Sequence, residues 1–220
     1  MRPFSSIIST TAVGHAAKSV VVALLACCTL LAHAAPPAKI SQVTPAQPVS
    51  TSGDKIEVLE FFSYACPHCK DFHPQIEAWA KQLPKDVKFT RVPVSFGRQA
   101  WVNLSKLYYA LEASDQLKRF DGAVFVGIHN ERTNLYSGPA AAKWLALKGG
   151  DAERFISAFN SFGVQSKAKR ASQLSRHYKV SGVPSMAVNG KFMVEGNENG
   201  FDGMLRAVDQ LVEQERKANK

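Results

Sequence analysis

The sequence predicts an α/β fold in which a long helical block interrupts a strand–helix–strand unit and a β-hairpin with a closing helix completes it. Three observations predict this. A β-prone apolar run at Ile56 to Phe62 is followed by helical spacing and then a second alternating run, the βαβ order of a parallel sheet. Between Gly97 and about Val180 the β signal vanishes. It returns at Ser185 to Glu195 around the dipeptide Asn189-Gly190.

Each element has its own warrant. Ile56-Glu-Val-Leu-Glu-Phe-Phe62 is nearly continuous in apolar character, the pattern of a strand covered on both faces. From Pro67, residues Phe72, Ile76, Trp79, Ala80 and Leu83 recur at helical spacing until Pro84, and Val87 to Val94 alternates as a second strand. In the central block, Trp101, Leu104, Tyr108 and Leu111 mark one helix, and Leu117, Phe120, Val124 and Ile128 another. Trp144 and Leu147, then Phe155, Ile156 and Phe159, mark two more. Gly149-Gly150 can close the third helix and Asp151 can cap the fourth. A last helix of the block is expected from about Ser166 to Tyr178, and no internal repeat is evident. Asn189-Gly190 suits a type I′ turn, which needs positive φ at both central positions. Asp202 can cap a final amphipathic helix carrying Leu205, Val208, Leu211 and Val212.

Composition narrows the class. The 220 residues are 45% hydrophobic, 10% aromatic and 20% charged, which excludes a disordered, collagenous or polytopic membrane protein. The N-terminus holds Arg2 and Lys18, an uncharged stretch from Ser19 to Leu31, and Ala32-His33-Ala34 before Ala35. Basic, apolar, then small-x-small is the order of a secretory signal, with cleavage expected after Ala34. The apolar run is shorter than the roughly 20 residues of a membrane span. Cys27 and Cys28 would leave with the signal, although Leu24-Leu25-Ala26-Cys27 also reads as a lipoprotein cleavage site. The remaining 186 residues carry 25 basic and 18 acidic side chains, a charge of +7 scattered without a run of five or six. That distribution is a solvated surface and not a nucleic-acid footprint. Ala35 to Gly53, with Pro36, Pro37, Pro45 and Pro48, is expected to be a flexible tether without packing capacity, with order beginning near Lys55.

Cys66-Pro67-His68-Cys69 carries the chemistry. It follows a buried strand and opens a helix, where free N–H groups and the positive end of the helix dipole stabilise a thiolate. Cys66 is expected to be the exposed nucleophile and Cys69, one turn in, the resolving thiol. Pro67 suits the first turn because it has no N–H to leave unpaired, and His68 can add charge or a hydrogen bond. A structural zinc site would need further ligands, and no second cysteine pair remains after signal removal. Attachment of c-type haem needs His directly after the second cysteine, where Lys70 stands. An inert disulfide or buried thiol pair is the remaining alternative.

Other residues are weighed beside that pair. Glu60, six residues before Cys66, places a carboxylate in a buried strand, either in an ion pair with Arg91 or at a strand end reaching solvent, or else as a proton acceptor or water-linked relay for Cys69. Val183-Pro184 precedes the hairpin, and by composition alone an X-Pro bond there is an ordinary trans turn. His73 reads as a surface helix residue, and His129 and His177 receive no role.

Taken together, Val58-Leu59-Glu60-Phe61-Phe62-Ser63-Tyr64 before Cys66-Pro67-His68-Cys69, with Gly182-Val183-Pro184 and Val188-Asn189-Gly190-Lys191 downstream, resemble the DsbA family of periplasmic thiol:disulfide oxidoreductases. The resemblance runs from about Lys55 to the C-terminus. It implies a thioredoxin fold with an inserted α-helical domain: 54–96 and 172–220 for the former, 97–171 for the latter. It also implies a cis bond before Pro184 beside the Cys66 sulfur and a loop that holds extended substrate. The implied activity is donation of a Cys66–Cys69 disulfide to cysteine-containing exported proteins, followed by reoxidation by a DsbB-type membrane quinone oxidoreductase. The redox-active disulfide is the only prosthetic element implied, with no metal and no nucleic acid, and a monomer is expected. Two positions depart from the pattern. Relatives often carry Lys at the position of Arg91, and the position of His73 can be acidic. The rival readings are a reductase or isomerase of the same fold, and a peptide-binding holdase whose groove matters more than its thiols.

Overall fold

The computed structural model describes residues 38–51, 55–196 and 200–218. The expected signal, its cleavage site after Ala34, and Cys27 and Cys28 lie outside them. Five strands and seven helices follow in the order β1 (Lys39–Gln42), β2 (Ile56–Phe62), α1 (Pro67–Ala80), β3 (Val87–Pro93), α2 (Gln99–Ala113), α3 (Leu117–His129), α4 (Gly138–Leu147), α5 (Ala152–Asn160), α6 (Phe162–His177), β4 (Ser185–Val188), β5 (Phe192–Glu195) and α7 (Phe201–Ala218).

The sheet runs β1-β5-β4-β2-β3. β2 pairs with β3 in parallel, with Glu60 opposite Arg91, and with β4 antiparallel. Every residue of β2 is buried, which explains its nearly continuous apolar run: helices cover both faces. On one face Val58, Val188 and Val194 pack with Phe72 and Ile76 of α1 and with Met204 and Val208 of α7. On the other, Leu59, Phe61, Ala187 and Met193 pack against Ala171 of α6 and the adjoining Tyr178. A third cluster, with Leu107, Leu111, Val124, Phe125, Trp144 and Phe155, fills the helical insertion and reaches Phe62 and both cysteines.

Local signals operate as the sequence indicates. The Asp151 carboxylate accepts from the Arg154 N–H and caps α5, while Gly149, at φ +75°, follows the end of α4. Asn189 and Gly190 have φ of 49° and 69°, as a type I′ hairpin requires. Gly190 is also required sterically, because a Cβ there would lie 2.0 Å from the Gln47 carbonyl oxygen.

Three expectations are corrected. The segment 35–53 is not a tether throughout, because Lys39–Gln42 forms β1, antiparallel to β5 with Lys39 opposite Glu195. The pairing continues through Val43 N–H to the Lys191 carbonyl and Gln47 N–H to the Gly190 carbonyl. The side chains of β1 are all exposed, so the strand is held by the open backbone edge of β5 and not by apolar packing. Next, α6 begins at Phe162 instead of Ser166, because the Ser161 hydroxyl caps it at the Val164 N–H. It runs unbroken across the 171/172 boundary expected between the inserted domain and the thioredoxin fold, so one helix belongs to both. Finally, Asp202 sits in the first turn of α7 and not before it. Among the described residues no helix is long and apolar enough to cross a membrane.

Candidate active site

The end of β2 and the start of α1 place the cysteines. Cys66 occupies the N-cap of α1 in extended conformation (φ −93°, ψ 119°), without a side-chain cap, and Pro67 follows at the first helical position. Its sulfur therefore borders the unpaired N–H groups of the first turn. Both cysteines are free thiols; Cys69 is fully buried, and Cys66, expected to be exposed, is buried at 8% because the loop before β4 packs over its sulfur.

Electrostatics separate the two. The Cys66 thiol is brought down from its ordinary value of 9.0 to about 6. The largest cause is a hydrogen bond from the Cys69 thiol to the Cys66 sulfur; burial opposes it, and the N–H groups of Cys69 and His68 and the charge of His68 assist. Cys69 is pushed well above the ordinary value, first by burial, then by the interaction with Cys66, with Glu60 adding to the effect. One thiol ionises near neutrality and its partner stays protonated.

The loop before β4 closes the site. The Val183–Pro184 bond is cis, against the compositional expectation and in agreement with the resemblance. In its protonated form Cys66 donates to the Val183 carbonyl at 3.3 Å. The Ser185 hydroxyl fixes the loop by donating to the Gly182 carbonyl at 2.6 Å. Beside the thiol lies a groove of about 570 Å³ lined by His68, Asp71, Gly182, Pro184, Glu195 and Phe201, among others. Cys66, Pro67, His68, Cys69, Val183 and Pro184 are thus brought to one place.

Glu60 lies at the same end of the sheet in a buried charge network. Arg91 donates through Nε to Glu60 and through Nη1 to Asp121, and the Tyr64 hydroxyl donates to the other Asp121 oxygen. The ion-pair reading of Glu60 holds, although Glu60 Oε1 has no partner among the described residues. Burial raises the Glu60 carboxyl above its ordinary range, with Arg91 opposing. For Arg91 burial lowers, but Glu60 and Asp121 more than offset it, so the guanidinium stays charged.

The expectation for His73 is corrected: it is half-buried between α1 and α3, its ring 5.1 Å from that of Phe125 and its Nδ1 enclosed without a partner. Burial lowers its pKa. His73, Glu77 and Asp121 place ligand-type atoms within 4.8 Å of one another. Both Asp121 oxygens are already taken, one of them by a guanidinium that repels a cation, so the cluster is poorly suited to a metal.

Sequence reasoning did not identify Asp121 or His129. The His129 Nε2–H donates to the Tyr64 carbonyl at 2.8 Å and so fixes the strand end leading to Cys66. Asp121 left a trace: it stands four residues after Leu117 and three before Val124, on the apolar face of α3, where a carboxylate needs a partner.

Comparison with known proteins agrees with this geometry. The family model described as DSBA-like thioredoxin domain matches residues 57–204. The chain is 43% identical over 181 residues to the thiol:disulfide interchange protein DsbA of Bordetella parapertussis, covering 80% of this chain and 83% of that one. It is 41% identical over 174 residues to DsbA of Pseudomonas aeruginosa, covering 79% and 82%. The crystal structure of Pseudomonas aeruginosa DsbA superposes with a TM-score of 0.78 at 38% identity, covering 82% of this chain and 94% of that chain. With its cysteine pair at the head of α1 and its helical insertion, the chain belongs to the DsbA-like thioredoxin family and is a thiol–disulfide oxidoreductase.

Proposed function

We propose that the protein is a dithiol oxidase of exported polypeptides, with Cys66 as the sulfur attacked and Cys69 as the resolving partner. The observation that carries this reading is the divergence of the two thiols, Cys66 at about 6 and Cys69 well above 9.0. A substrate thiolate attacks the Cys66 sulfur of the oxidised pair. The Cys66–Cys69 bond breaks, Cys69 leaves with the electron pair, and its high pKa draws a proton to it. A second substrate thiolate then attacks the substrate sulfur of the mixed disulfide, and Cys66 leaves as a stable anion. The substrate is oxidised by two electrons and the protein is reduced by two.

His68 adds positive charge beside the leaving thiolate, Pro67 starts the helix whose N–H groups face it, and Val183 and cis-Pro184 present a backbone edge for extended substrate. Glu60, with Oε1 unpaired and Arg91 fixed against Oε2, acts as the proton station beneath Cys69. Arg91 cannot take the titrating role of a lysine at that position. The working cycle places the protein in the periplasm after cleavage following Ala34, as a monomer with no cofactor beyond its own disulfide. A DsbB-type membrane quinone oxidoreductase regenerates the disulfide. The export signal in the sequence and the family's interchange chemistry support that placement.

The reading is tested by titration. Alkylation of the reduced protein should follow a single ionisation with a midpoint of about 6, set by Cys66. A depressed folded-state pKa contributes stability that is present above the unfolded value and is lost as pH falls through the folded one. The reduced form should therefore gain stability over the oxidised form by roughly 1–3 kcal/mol between pH 5 and pH 8, measured by denaturant unfolding of each. An alkylation midpoint near 9, with a flat stability difference, would show that no thiolate is stabilised and would remove the basis for an oxidase.

A further inference from the structure

The groove beside Cys66 does not end at the cis-proline loop. Ser181 lines that groove and also a second cavity of about 560 Å³ that extends toward Phe96, Ser172, Arg176 and Lys179. Ser172 and Arg176 in turn line a third cavity, of about 410 Å³, between α2 and α6, with Lys106 and Lys169. The three form a continuous depression running from the reactive thiol along α6.

Its charge is one-sided beyond Ser181, whereas the part beside Cys66 carries Asp71 and Glu195. The second and third cavities present Lys106, Lys169, Arg176 and Lys179, and no Asp or Glu among the described residues lines either. Elsewhere on the helical insertion Lys167 pairs with Glu112, Arg154 with Asp115 and Lys148 with Glu131, while Lys118, Lys143 and Arg170 among others form no ion pair among the described residues. Lys106, Lys169, Arg176 and Lys179 also form no ion pair among the described residues, and they alone of these cations line the two adjoining cavities. Lys106 lies over the Phe159 ring, and Lys179 reaches only the Thr44 carbonyl, at 3.5 Å. At the rim Phe96 is 41% exposed with φ +47°, which offers an apolar anchor. Lys169 and Arg176 are seven residues apart on α6, about 10 Å, a distance that three or four extended residues span.

We propose that this basic groove is a second docking site, for an acidic segment of the same polypeptide whose cysteine is engaged at Cys66. Unpaired cations in a concave path complement an extended run of carboxylates. Continuity at Ser181 lets one chain occupy both sites, so the acidic segment raises the effective concentration of its own thiol at Cys66. The groove therefore selects among substrates without touching the reacting atoms. The proposal rests on the dithiol-oxidase reading for what happens at Cys66, but the docking step is separable from it.

The test uses the oxidised mature protein and two-cysteine peptides with six Glu or six Gln placed on either side of the cysteines. In dilute buffer the favoured Glu peptide should be oxidised about three- to tenfold faster than its Gln counterpart, and the advantage should shrink as salt is added. A Lys169→Gln, Arg176→Gln variant, altering two exposed side chains without ion-pair partners, should lose the advantage while reacting with dithiothreitol at the parent rate. Equal rates for Glu and Gln peptides in both orientations, or an advantage kept by the variant, would overturn the proposal. Cysteine-free versions of the peptides, titrated by fluorescence anisotropy, read docking alone: tighter binding of the Glu form by the parent than by the variant is expected. A protein that fails to oxidise dithiothreitol yet shows that binding difference would refute the oxidase reading and leave the docking site standing. Variant-sensitive binding to phosphatidylglycerol vesicles without any preference between the peptides would assign the groove to a membrane surface and overturn the proposal.

Discussion

A Cys69→Ala variant loses disulfide donation, falling to the rate of uncatalysed exchange, and accumulates as a mixed disulfide through Cys66. With one sulfur gone there is no internal disulfide to transfer, and nothing within the protein can displace a partner already joined to Cys66. The same substitution removes the hydrogen bond that contributes most to the Cys66 thiolate, so its alkylation midpoint moves up from about 6 toward the ordinary 9.0. The converse variant behaves differently. In Cys66→Ala the remaining thiol is fully buried and its pKa is raised, so neither alkylation nor mixed-disulfide formation is appreciable under native conditions. Mass spectrometry of both variants after incubation with oxidised glutathione separates the two outcomes. Mixed disulfide on Cys69 in the Cys66→Ala protein would reverse the assigned roles.

The second large effect is structural. Arg91→Leu should destabilise the fold by roughly 3–5 kcal/mol at pH 7, because it leaves the carboxylates of Glu60 and Asp121 buried without their shared cation. Leucine fills part of the volume but donates nothing, and Tyr64 can still bond only one oxygen of Asp121. In the variant the Glu60 carboxyl, already raised by burial, loses the guanidinium that opposes the rise. A raised pKa gives stability that is complete below the unfolded value and is lost as pH rises. The deficit of the variant against the parent should therefore be largest near neutrality and shrink toward pH 4, which urea unfolding at several pH values will read. A deficit below about 1 kcal/mol at pH 7 would mean that water enters and replaces the guanidinium.

What the sequence reveals and what it hides follow from the range of each signal. β2, α1 and the hairpin are written in neighbouring residues: an apolar run, a Cys-Pro-His-Cys start and an Asn-Gly turn. The reactive pair is legible for the same reason, since the strand end and helix start that shape its chemistry lie within a few residues of it. β1 was hidden because its exposed side chains say nothing of the backbone edge that holds it. Likewise the early start of α6 depends on a single serine hydroxyl.

The network under the cysteines is a different case. Glu60 and Arg91 could be matched because parallel strands put them in register. Asp121 arrives from α3, thirty residues beyond Arg91, through an insertion whose packing no local pattern specifies. His73 was misplaced by the same gap: on α1 alone it reads as exposed, and α3 is what covers it. The insertion therefore supplies part of the electrostatic setting of the thiols as well as the walls around them.

If the stabilised Cys66 thiolate makes the disulfide a strong oxidant, one equilibrium reads it. The mature protein is brought to equilibrium with glutathione buffers of graded ratio, and the Cys66–Cys69 pair is then read by thiol trapping. A pair that stays reduced until the buffer is strongly oxidising is the expected result, because the thiolate that favours the reduced form must be given up on oxidation. A pair already oxidised in strongly reducing buffer would rule out a disulfide donor and identify a reductase or an inert structural bond.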